Sequence, residues 1–171
     1  MRLTLETERL ILRPFEITDA EDMFNNWTSD DEVSKYVKWS THQSVDETKE
    51  LLSYWDAQYN KPERINFAIV LKENNELIGG IDVVGYIEGM PVIGYNISRI
   101  YWNNGYMTEA CKKVLEYLFS IGHKVVQIDA VVENKASNKV ITKCGGKFIE
   151  IYEDTLKHEK VFINKYYVYN E

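Results

Sequence analysis

The chain has 171 residues, of which 44% are hydrophobic and 27% are charged, proportions that are ordinary for one globular domain. Its 20 Lys and Arg residues against 27 Asp and Glu residues give a net charge of −7, which repels phosphate backbones and anionic lipid and so excludes nucleic acid and membranes as expected partners. Two cysteines form neither a disulfide framework nor a zinc motif, and no leader or membrane span is recognisable, so a cytoplasmic location is expected.

The first third of the chain predicts one strand and two helices. Residues 3–13 alternate apolar side chains between two faces, which is typical of a strand, and Pro14 ends it. Capping boxes of the Ser/Thr-x-x-Glu type at residues 18–21 and 44–47 predict two helix starts. The first helix is expected to reach about Trp27. The second is expected to be longer, because its apolar residues recur at helical spacing.

The rest of the chain alternates between strand and helix patterns. Predicted strands cover residues 65–72, 77–87, 92–98, 126–132, 147–152 and 160–169, predicted turns lie at 74–75 and 89–91, and predicted helices begin after Gly105 and span 137–144. The order β-α-α-β-β-β-α-β-α-β-β indicates an α/β fold of the α+β type. About seven strands form a mixed sheet flanked by about four helices, rather than a doubly wound parallel sheet.

A strand, a short polar loop and a helix follow one another in the most informative segment, residues 93–110. The strand is expected to end at Ser98, and the helix to begin after Gly105. The first N–H groups of a helix are unpaired and carry partial positive charge, so this geometry suits a pyrophosphate. Gly105 allows a close approach of the backbone to it. No Gly-Lys-Ser/Thr follows, which excludes a Walker A loop, and by itself the pattern also fits an ordinary strand-to-helix turn.

This segment resembles the acetyl-CoA motif of the general N-acetyltransferase (GNAT) superfamily. That motif is Arg or Gln, two variable residues, Gly, one variable residue, and Gly or Ala, and it falls on residues 102–107. A Trp commonly opens this loop in the RimJ/RimL-type branch of ribosomal-protein N-terminal acetyltransferases, which the segment resembles. Residues 133–145 resemble the family's Asn-x-x-Ser segment, and residues 7–14 its opening strand. The resemblance implies a GNAT-like, mostly antiparallel sheet and a single acetyltransferase domain over residues 1–171.

The resemblance also implies which residues contact acetyl-CoA, the expected co-substrate, with no metal. The backbone of residues 97–98 is expected to pair with the pantetheine arm as an added strand would, and amides of residues 103–108 to hold the pyrophosphate. For Asn134 and Ser137 the structural alternatives are a strand-end turn and a helix N-cap. The implied cofactor-binding residues are Ile97, Ser98, Trp102, Asn103, Asn104, Gly105, Tyr106, Met107, Thr108, Asn134, Ser137, Asn138 and Ile141.

Three positions depart from the family's pattern. Met107 stands where Gly or Ala is usual, so its side chain must point away from the phosphates. Val92 stands where the branch often has a Glu that acts as base, and Ile141 where many relatives have a Tyr that acts as acid. The catalytic acid and base are therefore expected at other positions.

The candidate catalytic groups are the backbone N–H of Ile97, as donor to the oxyanion, and Ser137, as donor to the leaving thiolate directly or through water. Tyr36 and Trp39 are candidates for lining the acceptor pocket, with core packing as the alternative. Cys144, on an apolar helix face, is predicted to be a buried structural thiol rather than a nucleophile.

The function implied by the resemblance is that of an acyltransferase. An acetyl-CoA-dependent N-acetyltransferase would transfer the acetyl group to a primary amine, either a peptide N-terminal α-amine or a small-molecule amine, by direct attack in a ternary complex. The absent Glu and Tyr leave a non-catalytic acetyl-CoA or acyl-CoA sensor as an alternative, and a different acyl-CoA as another. A homodimer is a further expectation, since the final strands of this fold class often pair between subunits.

Overall fold

An eight-stranded sheet with helices on both faces forms the protein, in a computed structural model that describes residues 2–171. In chain order the elements are β1 (Leu5–Glu6), β2 (Leu10–Arg13), α1 (Ala20–Met23), α2 (Asp31–Ser34), α3 (Val45–Gln58), β3 (Asn66–Leu71), β4 (Glu76–Ile87), β5 (Met90–Ile97), α4 (Tyr106–Ser120), β6 (Val125–Val131), α5 (Lys135–Lys143), β7 (Lys147–Leu156) and β8 (Glu159–Tyr169). The strands lie in the order β1-β2-β3-β4-β5-β6-β8-β7. Neighbouring strands are antiparallel, except β5 and β6, which are parallel.

The predicted mixed, mostly antiparallel fold is confirmed, with one more strand than expected. The predicted strand 3–13 divides into β1 and β2, because the Thr7 N–H donates to the Leu10 carbonyl at 3.0 Å and closes a turn. β1 then pairs back on β2, with Leu5 opposite Leu12. The short α2 was not predicted, since four residues are too few to show a helical period.

The first helix starts in a different way from the predicted capping box at residues 18–21. The Asp19 carboxylate accepts the Glu16 N–H at 2.8 Å and is held by the Arg13 guanidinium through two contacts of 2.8 Å. These charge-assisted bonds stabilise a short 3-10 turn that starts at Ile17 and leads into α1. A π-helical turn (Phe24–Thr28) extends α1 to about the predicted end.

The second predicted box is displaced by one residue. Ser44 is the N-cap of α3, but its side chain makes no capping hydrogen bond within the described chain. Glu47 instead accepts the backbone N–H of Gln43 at 2.7 Å. The following turns lie near their expected places: Asn75 has φ 58°, and Glu88 and Gly89, with φ 50° and 83°, join β4 to β5 one residue before the predicted turn.

Two apolar cores cover the two faces of the sheet. The α4 face holds the larger core, to which β2 contributes Leu10 and Leu12, whereas Ile11 packs with α1 and α3 on the opposite face. Each fully buried side chain of this kind contributes about 1.5–3 kcal/mol. The buried residues that α4 contributes are Met107, Ala110, Cys111, Val114, Leu115 and Leu118. No helix within residues 2–171 is long and apolar enough to cross a membrane.

The backbone of β5 lies close against Gly79 of β4. A Cβ atom there would lie 2.4 Å from the backbone carbonyl oxygen of Asn96 on β5. Because that oxygen belongs to the backbone, the two strands would have to separate to accept any side chain. At Gly85, farther along the same strand, a Cβ atom would meet nothing within 4 Å.

We therefore expect Gly79→Ala to lower the free energy of unfolding by about 1–3 kcal/mol, as overpacking does. Gly85→Ala is the matched control and should stay within about 0.5 kcal/mol of the unaltered protein. Urea unfolding followed by circular dichroism measures both values. An equal loss in the two variants would contradict the close approach at Gly79.

Candidate functional site

A gap in the middle of the sheet divides it into two halves. Within residues 2–171, β5 and β6 pair through two residue pairs, Val92 with Gln127 and Ile93 with Ile128. β5 keeps its antiparallel pairing with β4 as far as Ile97, well beyond the point where its pairing with β6 ends. The last part of β5 therefore has one unpaired backbone edge inside the sheet.

The polar backbone groups of two β5 residues face this gap. The Ser98 N–H donates to the Ile78 carbonyl of β4 at 2.7 Å. Since hydrogen-bonded positions alternate along an antiparallel pair, Ile97 and Tyr95 turn their N–H and carbonyl groups away from β4. The indole N–H of Trp102 donates to the Ile97 carbonyl at 2.9 Å, which agrees with that direction. The Ile97 N–H remains directed into the gap, as its candidate role requires.

A cavity of about 1130 Å³ passes through the gap and reaches both faces of the sheet. It exceeds the usual ~300–1,000 Å³ of a site for one small molecule, so it has room for two substrates. On one face it meets the start of α4 and α5, and on the other it meets Tyr36, Trp39 and Asp82. The predicted cofactor residues that line it are Ile97, Trp102, Asn103, Gly105, Tyr106, Met107, Thr108, Asn134 and Ser137.

The loop before α4 opens the start of that helix to the cavity. Gly105 is the N-cap with φ 78°, and the nearest atom to a Cβ placed there is a guanidinium nitrogen of Arg9, 3.5 Å away. The side-chain amide of Asn104 does not line the cavity but donates to two carbonyls earlier in the loop at 3.1 and 3.0 Å. The Met107 side chain is 5% exposed and packs in the larger core, pointing away from the loop as its position requires.

An ion pair that sequence reasoning missed fastens this loop to the first strands. The Glu109 carboxylate on α4 accepts hydrogen bonds from the Thr7 hydroxyl at 2.5 Å and from the Arg9 backbone and side chain at 3.1 and 2.9 Å. Arg9 also donates to the Asn104 carbonyl at 3.0 Å and stacks over the Tyr106 ring at 4.4 Å. We call this group, Thr7, Arg9 and Glu109, the loop clamp.

The charge of Glu109 is maintained by its partners. Burial raises the pKa of Glu109, but the hydrogen bonds from Thr7 and Arg9 outweigh it and leave the pKa below its ordinary value. The carboxylate is therefore ionised at neutral pH, and the clamp holds the loop through charge-assisted bonds.

At the start of α5 the helix N-cap is Asn134, not Ser137, for which an N-cap was the structural alternative. The Asn134 side chain accepts the Ser137 N–H at 3.2 Å, so Asn134 is the N-cap and Ser137 lies inside the helix. The Ser137 hydroxyl lies 2.8 Å from the Tyr95 hydroxyl of β5. Burial raises the pKa of Tyr95 far above its ordinary value, so this phenol stays protonated and neutral. Sequence reasoning did not include Tyr95.

Four predicted cofactor residues do not line the cavity: Asn104, described above, and Ser98, Asn138 and Ile141. Asn138 uses its side chain in four hydrogen bonds of 2.7–3.0 Å that tie α5 to β6 and β8. Ile141 is 0% exposed in the larger core. Ser98 is 3% exposed, and its backbone already bonds to Ile78 and Tyr101. Their positions in the motifs suggested contact, but packing and hydrogen bonding direct them inward.

The segment between α2 and α3 covers the other side of the cavity. Tyr36 packs on the cluster formed by Val131, Leu156 and Ile163, whereas Trp39 packs on the α1–α3 core, so the segment spans from one half of the sheet to the other. An ion pair of 3.3 Å between Lys38 and Asp154 ties it to β7. Tyr36 and Trp39 therefore combine packing with lining of the cavity, and their role in an acceptor pocket stays a prediction.

Asp82 is a cavity residue that the sequence reading also missed. Burial raises the pKa of Asp82 to about 6, and the Arg64 guanidinium, 3.6 Å away, opposes that rise in part. A signal was present in the sequence, since Asp82 is the one charged residue in the apolar stretch 77–87. A lone carboxylate in a strand pattern is a candidate for chemistry because burial must shift its pKa.

The cysteines and histidines build no second centre. Cys144 is 9% exposed, which confirms the predicted buried thiol, and Cys111 is 0% exposed. His42 bonds through Nδ1 to the Thr48 hydroxyl at 2.7 Å. Across residues 2–171, no three His, Cys, Asp or Glu side chains are grouped as ligands of a metal ion.

Comparison with known proteins gives a consistent result. A family model described as "Acetyltransferase (GNAT) domain" matches residues 9–147. The uncharacterized N-acetyltransferase YoaA of Bacillus subtilis is 33% identical over 144 residues, which are 82% of this chain and 81% of that relative. An acetyltransferase of the GNAT family from Bacillus anthracis superposes with a TM-score of 0.85 at 25% identity, over 98% of each chain. RimL, a ribosomal L7/L12 α-N-protein acetyltransferase solved with coenzyme A, shares the fold with a TM-score of 0.86 at 16% identity, over 98% of each chain.

We expect Glu109→Gln to lower the free energy of unfolding by about 1 kcal/mol at pH 7, since it removes charged hydrogen bonds from a partly exposed pair. The pKa of Glu109 is lowered in the folded state, so the ionised carboxylate stabilises the fold above the pKa of an unfolded Glu, and that contribution disappears as the pH falls. The difference in free energy of unfolding between Glu109→Gln and the unaltered protein should therefore become smaller in acid. Urea unfolding at two pH values measures it.

Glu116→Gln on the same helix is the control for this prediction. Its carboxylate is 70% exposed and pairs with Lys113 one turn away, so the variant should change stability by less than about 0.5 kcal/mol. A larger loss in this control than in Glu109→Gln would rule out the loop clamp as the stabilising contact.

Proposed function

The chain belongs to the acetyltransferase (GNAT) family, and from this premise we propose that it transfers an acetyl group from acetyl-CoA to a primary amine by direct attack in a ternary complex. The observation that carries the proposal is the cavity through the gap between β5 and β6, which joins the start of α4 on one face to Trp39 and Asp82 on the other. Two substrates entering from opposite faces can meet there without a covalent enzyme intermediate. One sheet supplies both halves of the site, which supports a single acetyltransferase domain.

The residues on the α4 face fit the charge and shape of acetyl-CoA. The first N–H groups of α4 are available for a pyrophosphate, and Gly105 presents no side chain in front of them. Lys135, Lys139 and Lys143 line the same cavity and supply positive charge for phosphates. The unpaired edge of β5 at Ile97 can pair with a pantetheine arm as an added strand would.

Positioning and hydrogen bonding by these residues account for the chemistry. The Ile97 N–H donates to the thioester oxygen as negative charge develops on it. Ser137, supported by the Tyr95 hydroxyl at 2.8 Å, gives a proton to the departing thiolate. Holding the amine and the thioester in contact supplies up to about 7–11 kcal/mol of the barrier reduction.

On the other face, the walls suit an amine carried on an apolar or peptide stem. Tyr36 and Trp39 place aromatic surface beside the cavity. RimL, which shares the fold, acts on a protein α-amine, and this supports a peptide α-amine as acceptor, with a small-molecule amine as the second class. β7 is the last strand of the sheet and leaves Phe148 and Ile151 55% exposed, which supports a homodimer that pairs along this edge.

The cofactor site can be tested by thermal shift with acetyl-CoA. At 100 times its dissociation constant the ligand should add about 2.7 kcal/mol to the unaltered protein, a clear rise in Tm. Gly105→Glu places a carboxylate at the proposed pyrophosphate site, so its Tm should not respond. Gly122→Glu is the matched control, because Gly122 also has positive φ (109°) but lies at the far end of α4.

Both glycines have a positive φ, so each Glu variant should melt below the unaltered protein, yet Gly122→Glu should keep the acetyl-CoA response. If Gly105→Glu also keeps it, the pyrophosphate does not bind at the start of α4.

Turnover separates the enzyme from an acyl-CoA sensor. With acetyl-CoA, we expect release of CoA thiol, read with a thiol reagent, to depend on an added amine. The probes are a lysine-free hexapeptide with a free α-amine and phenethylamine, and the Nα-acetylated hexapeptide is the blank. Acetyl-CoA binding with no amine-dependent release from either probe would favour the sensor. Faster release from a longer acyl-CoA would change the assigned donor.

A further inference from the structure

A row of polar residues crosses three strands on the face of the sheet opposite α4. Asn66 of β3 lies directly opposite Asp82 of β4, and Asp82 lies directly opposite Gly94 of β5. Directly paired residues project to the same side of a sheet, so all three face the α1–α3 side. Asn96, two residues beyond Gly94, lies on that side as well. Asn66, Asp82, Gly94 and Asn96 all line the cavity.

The Asp82 carboxylate is open to the cavity. Its nearest cation is the Arg64 guanidinium, 3.6 Å from Oδ2, and it accepts no hydrogen bond within residues 2–171. The other oxygen, Oδ1, lies 3.8 Å from the place of a Cβ at residue 94. Val84 Cγ1 lies 2.7 Å from the same place, so the Val84 side chain fills the space in front of Gly94 and Asp82 meets the cavity beside it.

Two neighbouring amides have atoms without partners. In the described chain, Asn66 Nδ2 and Asn96 Oδ1 are buried and make no hydrogen bond, and Asn66 is 3% exposed. Buried polar groups are normally satisfied, so an unpaired donor and an unpaired acceptor beside an open carboxylate indicate a bound polar molecule. A carboxylate and an amide oxygen together suit a ligand that donates several hydrogen bonds, as an ammonium group does.

We propose that Asp82 is the general base of the acetyl transfer, that Asn96 Oδ1 accepts a hydrogen bond from the acceptor ammonium, and that Asn66 Nδ2 donates to a carbonyl oxygen of the acceptor. This inference rests on the function proposed above and names the base that the family motifs leave unassigned. Asp82 takes one proton from the ammonium, and the nitrogen lone pair then forms the C–N bond. The C–S bond breaks with its electron pair on sulfur, Ser137 protonates the thiolate, and the second nitrogen proton restores the Ser137 hydroxyl. The products are the amide, CoA thiol and one proton, which Asp82 returns to solvent.

Asp129 is the rival carboxylate and is already occupied. Gln127 of β6 pairs with Val92 of β5. Two residues farther along both strands, Asp129 follows next to Gly94, so it continues the polar row onto β6. Its oxygens accept the Gln127 amide at 3.0 and 2.8 Å and the Tyr152 hydroxyl at 2.9 Å. A carboxylate held in this way positions neighbours, whereas Asp82 has a free oxygen.

The basicity of Asp82 suits a weakly basic acceptor. Three charged or titratable groups face Asp82: Arg64 just before β3, Tyr59 at the end of α3, and Asp129 on the far side of Gly94. Residue 94 of β5 is glycine and adds no such group. Burial raises the pKa of Asp82 to about 6, and Arg64 opposes the rise. Peptide α-ammonium groups have a pKa of ~7.7–8.0 and Lys side chains one of ~10.4, so proton transfer to Asp82 is far easier from an α-amine.

The test is the pH dependence of kcat/KM with the lysine-free hexapeptide. In the unaltered protein, kcat/KM should rise with pH through about 6 as Asp82 ionises. Asp82→Asn should lose about 10²–10⁴-fold in kcat/KM together with that acidic limb. Asp82→Glu should retain the limb at a lower rate, and Asp129→Asn should also retain it. The acetyl-CoA thermal shift must persist in each variant, which shows that the fold and donor site are intact.

Three results would overturn the inference. Asp82→Asn within tenfold of the unaltered protein and with the same acidic limb removes Asp82 as the base. Loss of the limb in Asp129→Asn alone assigns the base to Asp129. Equal kcat/KM for the hexapeptide and for an Nα-acetylated version with one Lys rejects the weakly basic acceptor. If the unaltered protein turns over no amine, the proposed function fails and this inference with it.

Discussion

The parallel pairing of β5 with β6 is the constraint on which the site depends. Every other neighbouring pair of strands is antiparallel, whereas this pair is parallel, is joined by a crossover through α4 and shares two residue pairs in the described chain. A crossover helix must start where β5 ends, so its unpaired N–H groups lie at the mouth of the gap. The early end of pairing frees the backbone of Ile97 and connects the two faces of the sheet. One topological feature therefore supplies the helix start, the free strand edge and the through-going cavity.

The loop at the start of α4 would be mobile if only local contacts held it, since it contains a left-handed glycine and polar side chains. The loop clamp holds it from the opposite end of the chain, through bonds between residues about a hundred positions apart. The cost is a break in the first strand, because Thr7 and Arg9 turn toward Glu109 instead of continuing the ladder. The bonds to an ionised carboxylate are stronger than those of an exposed edge strand, so the exchange favours a fixed loop.

The two faces of the sheet differ in the polarity of their side chains. The larger core on the α4 face is apolar, and Met107, Cys111 and Ile141 belong to it. The opposite face carries a carboxylate, two incompletely bonded amides and a glycine, all beside the cavity. Unpaired polar groups destabilise a folded chain by about 1–3 kcal/mol each, and proteins tolerate such departures chiefly where they function. The polar part of that face, beside the cavity, is therefore the part that suits chemistry.

Local patterns determined the elements, their order and the strand–loop–helix segment, because hydrophobic period and turn residues act over a few positions. They also determined the family resemblance and hence the region of the donor site. Tertiary structure decided which motif residues face the cavity. Asn138 and Ile141 occupy motif positions, yet one is bonded to β8 and the other is enclosed by the core. It also brought Glu109 to Arg9 and Asp82 to Gly94, since cross-strand register and long-range ion pairs join residues whose sequence neighbours carry no sign of the contact.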